Sequence, residues 1–362
     1  MAKEYELKLL GQPYYGNCKE RTYNICFTEP EEGITKETGI LLLVAGFGGN
    51  INSNVYRKIR NIYSDKYDMI AIQADYMGSR CQQAPQNYST KDVLYDETEW
   101  TVEEIEDFLH DRPLKSGSRK ETESLEIILD TQETEEDFVE MGVFQAMDNI
   151  RAVKVVVDIV KQNGYEFNEN KIVGFGDSHG AYLLYVINRL CPELLTTVID
   201  NSAWLFPMYI DFGRVFSYCV NEIQLKKHMI YRLQDVIEDR QVYDLRYLYK
   251  GFANKANIYS FHGKDDELIA LDKKEEFFKN VENVKIHRIG IDFSVGEIFK
   301  NTGHSMGADY LKLLDFVFEN YPLEGNERKG EIFSTSVIET SKFKYDVSVK
   351  DNECKIERTE IR

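Results

Sequence analysis

From Gly39 onward the chain alternates short apolar, often β-branched runs with longer segments of helical period, a pattern that few architectures other than a parallel sheet with crossover helices can satisfy. Six runs have the length and composition of strands buried on both faces: residues 40–45, 69–74, 171–175, 197–200, 257–262 and 284–289. Between and after them the spacing predicts helices over 54–63, 143–163, 180–190, 272–280 and 306–319. The second has Phe144, Met147, Ile150, Val153, Val157 and Val160 on one stripe at a 3.6-residue period. Ahead of this block, residues 5–10 and 21–27 form a candidate antiparallel pair leading into the sheet. The expected fold class is therefore α/β, a doubly wound, mostly parallel sheet.

Three segments fall outside that pattern. Residues 77–140 are too long for a strand-to-helix loop, so they are expected to be an insertion, partly helical over 102–109 and mobile around 115–118. Residues 204–254, rich in Tyr, Phe, Leu and Met, are expected to form a helical cap over the end of the sheet. After Gly325, residues 331–339, 342–349 and 353–361 have strand composition and predict a small antiparallel appendage. The expected division is one domain over 1–324 and a β-rich appendage over 325–362.

Charge narrows the partners. The net charge is −18, and residues 92–140 alone hold 18 acidic and 4 basic side chains, a balance of −14 that leaves the remainder close to neutral. Such a chain repels phosphate backbones and anionic lipid surfaces, which argues against nucleic acid and membrane as partners. The six cysteines are scattered without a C-x-x-C pair, no apolar leader opens the sequence and no run reaches membrane-spanning length. Reduced thiols and a cytoplasmic location are the expectation. No cofactor is expected either: the glycines at 46, 48 and 49 lack the G-K-[ST] of a phosphate cradle, His and Cys are never paired at metal spacing, and the acidic segment lacks calcium-loop spacing.

The chemistry lies in Gly176-Asp177-Ser178-His179-Gly180, a G-x-S-x-G placed directly after a candidate strand and before a candidate helix. A serine on so tight a turn is exposed at the end of the sheet, near the positive end of a helix, and the two glycines remove side chains that would collide with neighbouring elements. Two later loops complete a set of residue types. Phe261-His262-Gly263-Lys264-Asp265-Asp266 follows one strand and Asn301-Thr302-Gly303-His304 follows the last, so Ser178, an aspartate and His304 occur in the order nucleophile, acid, base at the carboxyl ends of strands.

This constellation resembles the α/β-hydrolase superfamily over roughly residues 39–321, in motif style closest to serine esterases and to the catalytic domain of prolyl-oligopeptidase-type enzymes. The segments Val198-Ile199-Asp200-Asn201-Ser202 and Asp177-Ser178-His179-Gly180 are also similar to an uncharacterised bacterial branch of hydrolase-like proteins. In such families a strand ending in H-G-x-x-D supplies the acid. The resemblance thus selects Asp266, four residues after His262, over its neighbour Asp265, while Asp200 ends another strand from which some hydrolases take their acid and remains a rival. The family's usual H-G before the oxyanion loop is replaced here by Ala45-Gly46-Phe47-Gly48-Gly49, and the matching backbone donors are Phe47 N–H and His179 N–H. No β-propeller precedes the region, which weakens a peptidase reading.

The resemblance implies Ser178, His304 and Asp266 as a triad that cleaves an ester, with a small-molecule, glycan or acyl ester as substrate. An acyltransferase that hands the acyl group to a sugar or protein hydroxyl would use the same triad, and a hydrolase-fold interaction protein would use none of it. Association between copies could run through the edges of the tail strands.

Overall fold

The computed structural model describes residues 2–17, 19–83, 90–93, 124–220, 223–325, 331–350 and 353–361. Strands are numbered β1–β15 along the chain and lie in three sheets. The apolar runs form the largest. It contains β1 (Lys3–Gly11), β2 (Arg21–Glu29), β3 (Gly39–Val44), β4 (Met69–Ala74), β7 (Ile172–Asp177), β8 (Thr197–Asn201), β11 (Asn257–Gly263) and β12 (Val284–Ile289), in the order β1-β2-β4-β3-β7-β8-β11-β12. The β1–β2 and β2–β4 pairs are antiparallel and the remaining neighbours are parallel.

The two-residue period of a strand explains why these runs are apolar throughout. In β3, Ile40, Leu42 and Val44 enter one core and Leu41 and Leu43 the other, so no position faces water. The longer helices supply the two covers: α1 (Asn54–Tyr67) and α5 (Tyr310–Asn320) on one face, α2 (Val143–Gln162), α3 (His179–Leu190) and α4 (Leu271–Phe278) on the other. The last helix starts at Tyr310 rather than near Met306, because Ser305 and Met306 take left-handed backbone angles, φ 55° and 54°, that a helix cannot contain.

The cap differs most from expectation. Within residues 204–254 the helical elements are single turns, Tyr209–Phe212, Leu233–Val236, Gln241–Tyr243 and Leu245–Leu248. The longer elements are a hairpin, β9 (Arg214–Val220) and β10 (Ile223–Met229). This hairpin joins β5 (Thr90–Val93) and β6 (Ser124–Leu129) of the insertion in a second sheet, ordered β5-β6-β10-β9, with β10 parallel to β6. Charge helps set that register: Lys226 faces Glu126 across the pair at 2.6 Å, and His228 lies 3.0 Å from the same carboxylate. The insertion also contributes to the core, since Ile127 and Leu129 are buried. The expected helix over 102–109 and the expected mobility around 115–118 fall outside the described residues.

The tail forms the expected antiparallel sheet, β13 (Ser336–Glu339), β14 (Phe343–Lys350) and β15 (Glu353–Glu360). Alternate residues Tyr345, Val347 and Val349 are buried in the same core cluster as α2 and α3. Among the described residues no helix is long and apolar enough to cross a membrane.

Candidate active site

β7 delivers Ser178 to the carboxyl edge of the sheet and α3 starts at the next residue. Ser178 takes φ 53° and ψ −115°, a conformation that costs a non-glycine residue on the order of 1–3 kcal/mol and holds its side chain clear of both elements. The flanking glycines are required by contact. A Cβ on Gly176 would stand 2.5 Å from Ala181 N, and one on Gly180 would stand 2.1 Å from the Val44 carbonyl of β3.

The hydroxyl meets the later loops. Ser178 Oγ lies 2.7 Å from His304 Nε2, and His304 Nδ1 lies 2.9 Å from Asp266 Oδ2. Asp266 is buried, and its other oxygen accepts the N–H groups of Leu268 (2.9 Å) and Ile269 (3.1 Å). Burial alone would raise this carboxyl, but the hydrogen bond and charge of His304 outweigh it and hold Asp266 below the ordinary carboxylate value. An ionised Asp266 fixes the proton of His304 on Nδ1 and leaves the Nε2 lone pair facing the serine hydroxyl. The His304 loop is braced at both ends: Ser305 N donates to Ser202 Oγ at 3.1 Å, and Thr302 Oγ1 donates to Asp265 at 2.6 Å.

The rival acids are thereby engaged elsewhere. Asp265 holds Thr302, while Asp200 sits in a fully buried ion pair with Lys274 (2.9 Å) and accepts from Tyr185, Ser260 and Ala203 N. His262, which precedes the acid loop, donates from Nε2 to the Ile269 carbonyl at 2.8 Å and so shapes the turn that carries Asp266.

Phe47 lies on the turn after β3. Gly49 N donates to the Gly46 carbonyl at 2.9 Å, Gly48 has φ 89°, and its N–H donates to Gln82 Oε1 at 2.7 Å. Among the described residues Phe47 N–H has no acceptor. His179 N–H, at the first position of α3, has no intrahelical one. The His179 ring points away into the core: Nε2 bonds Gln145 Oε1 at 2.7 Å, and burial pushes the imidazole down to about 3, so it stays neutral and serves packing.

A family model described as "Protein of unknown function (DUF2920)" matches residues 18–239, more than half of the chain. The chain belongs to that family. No curated protein matches its sequence. Among solved structures, this family member is similar to an acylaminoacyl peptidase in complex with Z-Gly-Gly-Phe-chloromethyl ketone, with a TM-score of 0.50 and 11% identity, over 91% of this chain and 43% of that one. It is also similar to Est1E from Butyrivibrio proteoclasticus (TM-score 0.46, 13% identity, 86% of this chain and 98% of that one) and to Thermogutta terrifontis esterase 2 phosphonylated by sarin (TM-score 0.40, 13% identity, 81% and 87%). The DUF2920 chain has the α/β-hydrolase fold.

In this DUF2920 protein the cap presents aromatic rings to the site. Phe47 packs edge-on against Tyr209 and Tyr231, with ring centres 5.1 and 5.7 Å apart, and Trp204 lies 5.1 Å from the His179 ring. Three supporting residues were not picked out in the sequence reading: Gln145, Gln82 and Lys274. Lys274 did leave a trace. It sits three and four residues before Phe277 and Phe278 on one helical face, where a lysine has to be paired to be buried.

Proposed function

We propose that this chain is a serine hydrolase that cleaves an ester through an acyl-enzyme. The observation that carries the proposal is the unbroken hydrogen-bond chain Ser178–His304–Asp266 on a strained strand-to-helix turn. Ser178 Oγ attacks the acyl carbonyl while His304 Nε2 takes its proton, and Asp266 holds the imidazole in its tautomer and stabilises the imidazolium. The carbonyl oxygen becomes an oxyanion, to which Phe47 N–H and His179 N–H would donate at the positive end of α3. His304 returns the proton to the leaving alcohol, and a water activated by His304 releases the acid and regenerates Ser178. A binding-only role has no use for so closed a proton path.

The test is turnover of short-chain 4-nitrophenyl esters by the wild type and by single variants. Ser178→Ala should lower kcat by about 10⁴-fold or more, and Asp266→Asn, which favours the wrong tautomer, by about 10⁴-fold. Ester turnover that survives both substitutions would overturn the proposal.

A further inference from the structure

We propose that Arg214 selects a substrate bearing a carboxylate, an inference that rests on the hydrolase reading above and names its substrate class. Arg214 opens β9, and its guanidinium carbon lies 4.5 Å from the centre of the Phe216 ring, 5.4 Å from that of Phe47 and 6.0 Å from that of Tyr209. These rings hold the guanidinium plane and strip part of its water without neutralising it. One donor is spent: Nη1 bonds the Gln82 carbonyl at 3.1 Å. Among the described residues the Nε–Nη2 edge has no protein acceptor and no carboxylate lies within ion-pairing distance.

Arg57, Arg151 and Arg189 likewise face no carboxylate among the described residues, but only Arg214 stands over the Phe47 ring. Acidic side chains outnumber basic ones by 62 to 44, and Arg21, Arg80, Arg240, Arg246 and Arg288 each face a carboxylate. Arg214 is half-buried and faces none among the described residues. Its position relative to the turn after β3 is also set. Gln82 accepts Arg214 with its main chain and Gly48 N–H with its side chain, so one residue ties the guanidinium to the loop that carries Phe47 N–H. The free edge is a planar two-donor fork, which matches a carboxylate in plane and spacing, while the aromatic frame disfavours a hydrated tetrahedral dianion. A net charge of −18 repels anions at long range, so a carboxylated substrate needs such a local contact to be chosen over a neutral one.

Two ester pairs test this, one with the charge on the acyl side and one with it on the alcohol side: 4-nitrophenyl hydrogen glutarate against 4-nitrophenyl pentanoate, and 4-carboxyphenyl butyrate against 4-carbamoylphenyl butyrate. In the wild type the carboxylated member of one pair should be favoured in kcat/KM by about 10- to 100-fold. The ratio should fall to about one in Arg214→Gln. Arg214→Lys, which keeps the charge but loses the fork, should give an intermediate ratio, and thermal melts confirm that both variants are folded. A wild-type ratio at or below one in both pairs, or a preference that persists in Arg214→Gln, would overturn the inference and leave the hydrolase reading standing. Absence of turnover on all four esters together with absence of fluorophosphonate labelling at Ser178 would instead remove the hydrolase reading, and this inference with it.

Discussion

Burial sets the protonation of the acidic side chain that starts α2, and Glu140 shows by how much. Its Oε2 accepts N–H groups of Gly142 (3.0 Å), Phe144 (2.9 Å) and Gln145 (3.3 Å), and its Oε1 accepts the Tyr243 hydroxyl at 2.7 Å. It thus caps the helix whose Gln145 holds the His179 ring beside Ser178. The loss of water outweighs these donors, with Tyr14, Tyr15 and Tyr182 packed around the group rather than a cation, and the carboxyl is pushed up to about 7 from its ordinary 4.5. A raised pKa makes the contribution to stability full below pH 4.5 and lost as pH rises through about 7, a swing of roughly 3 kcal/mol. Glu140→Gln should therefore lose less stability than the wild type between pH 5 and pH 8, measured by urea denaturation at each pH. Equal losses in the two proteins would show that Glu140 is ionised throughout.

At the scale of elements, the site depends on how closely α3 can approach β3. Gly180 makes that contact, and a methyl group there would meet the backbone oxygens of Val44 and Ala45 at 2.1 and 2.6 Å. Gly180→Ala should cost about 3 kcal/mol and displace Ser178, because backbone cannot yield as a side chain can. Gly164→Ala, at φ 79° with open space around it, provides a control that carries only the backbone penalty. Similar denaturation midpoints for the two variants would contradict the close-approach account. The elbow was legible in the sequence because its requirements are local: a strand, two glycines around a serine, then a helix, all within twelve residues. Asp266 was legible only with the family resemblance, which chose it over Asp265, and His304 follows the last strand of the sheet by fifteen residues, marked by its place after that strand and by Gly303 and Gly307. The β9–β10 hairpin was not legible. Its partner β6 lies about a hundred residues earlier, and no local pattern in an aromatic, Leu-rich segment separates a hairpin that pairs at long range from short helices packed on a sheet.

Across the whole molecule, the acidic excess and the cap belong together. Residues 92–140 carry most of the net charge, and their strand β6 pairs with the cap strand that holds Lys226, Lys227 and His228, which ties the described end of the insertion to the cap. The tail sheet closes the opposite side, with Ser336 Oγ donating to the Leu190 carbonyl at the end of α3 and Arg189 donating to the Val337 carbonyl. Helix α3 is thereby held at its start by the elbow and at its end by the tail. The buried polar contacts that make this arrangement rigid, Lys274–Asp200 and Gln145–His179, each join residues far apart in sequence. A single sequence offers no spacing from which to read them.

The central claim is that this framework makes one serine nucleophilic. Covalent labelling with a fluorophosphonate, mapped to the residue by mass spectrometry in the wild type, Ser178→Ala and His304→Ala, tests it most directly. The account predicts label on Ser178 in the wild type and its loss in both variants, since removal of His304 leaves the hydroxyl without a base. Folded protein that takes no label, or label on Ser178 that persists without His304, would contradict it.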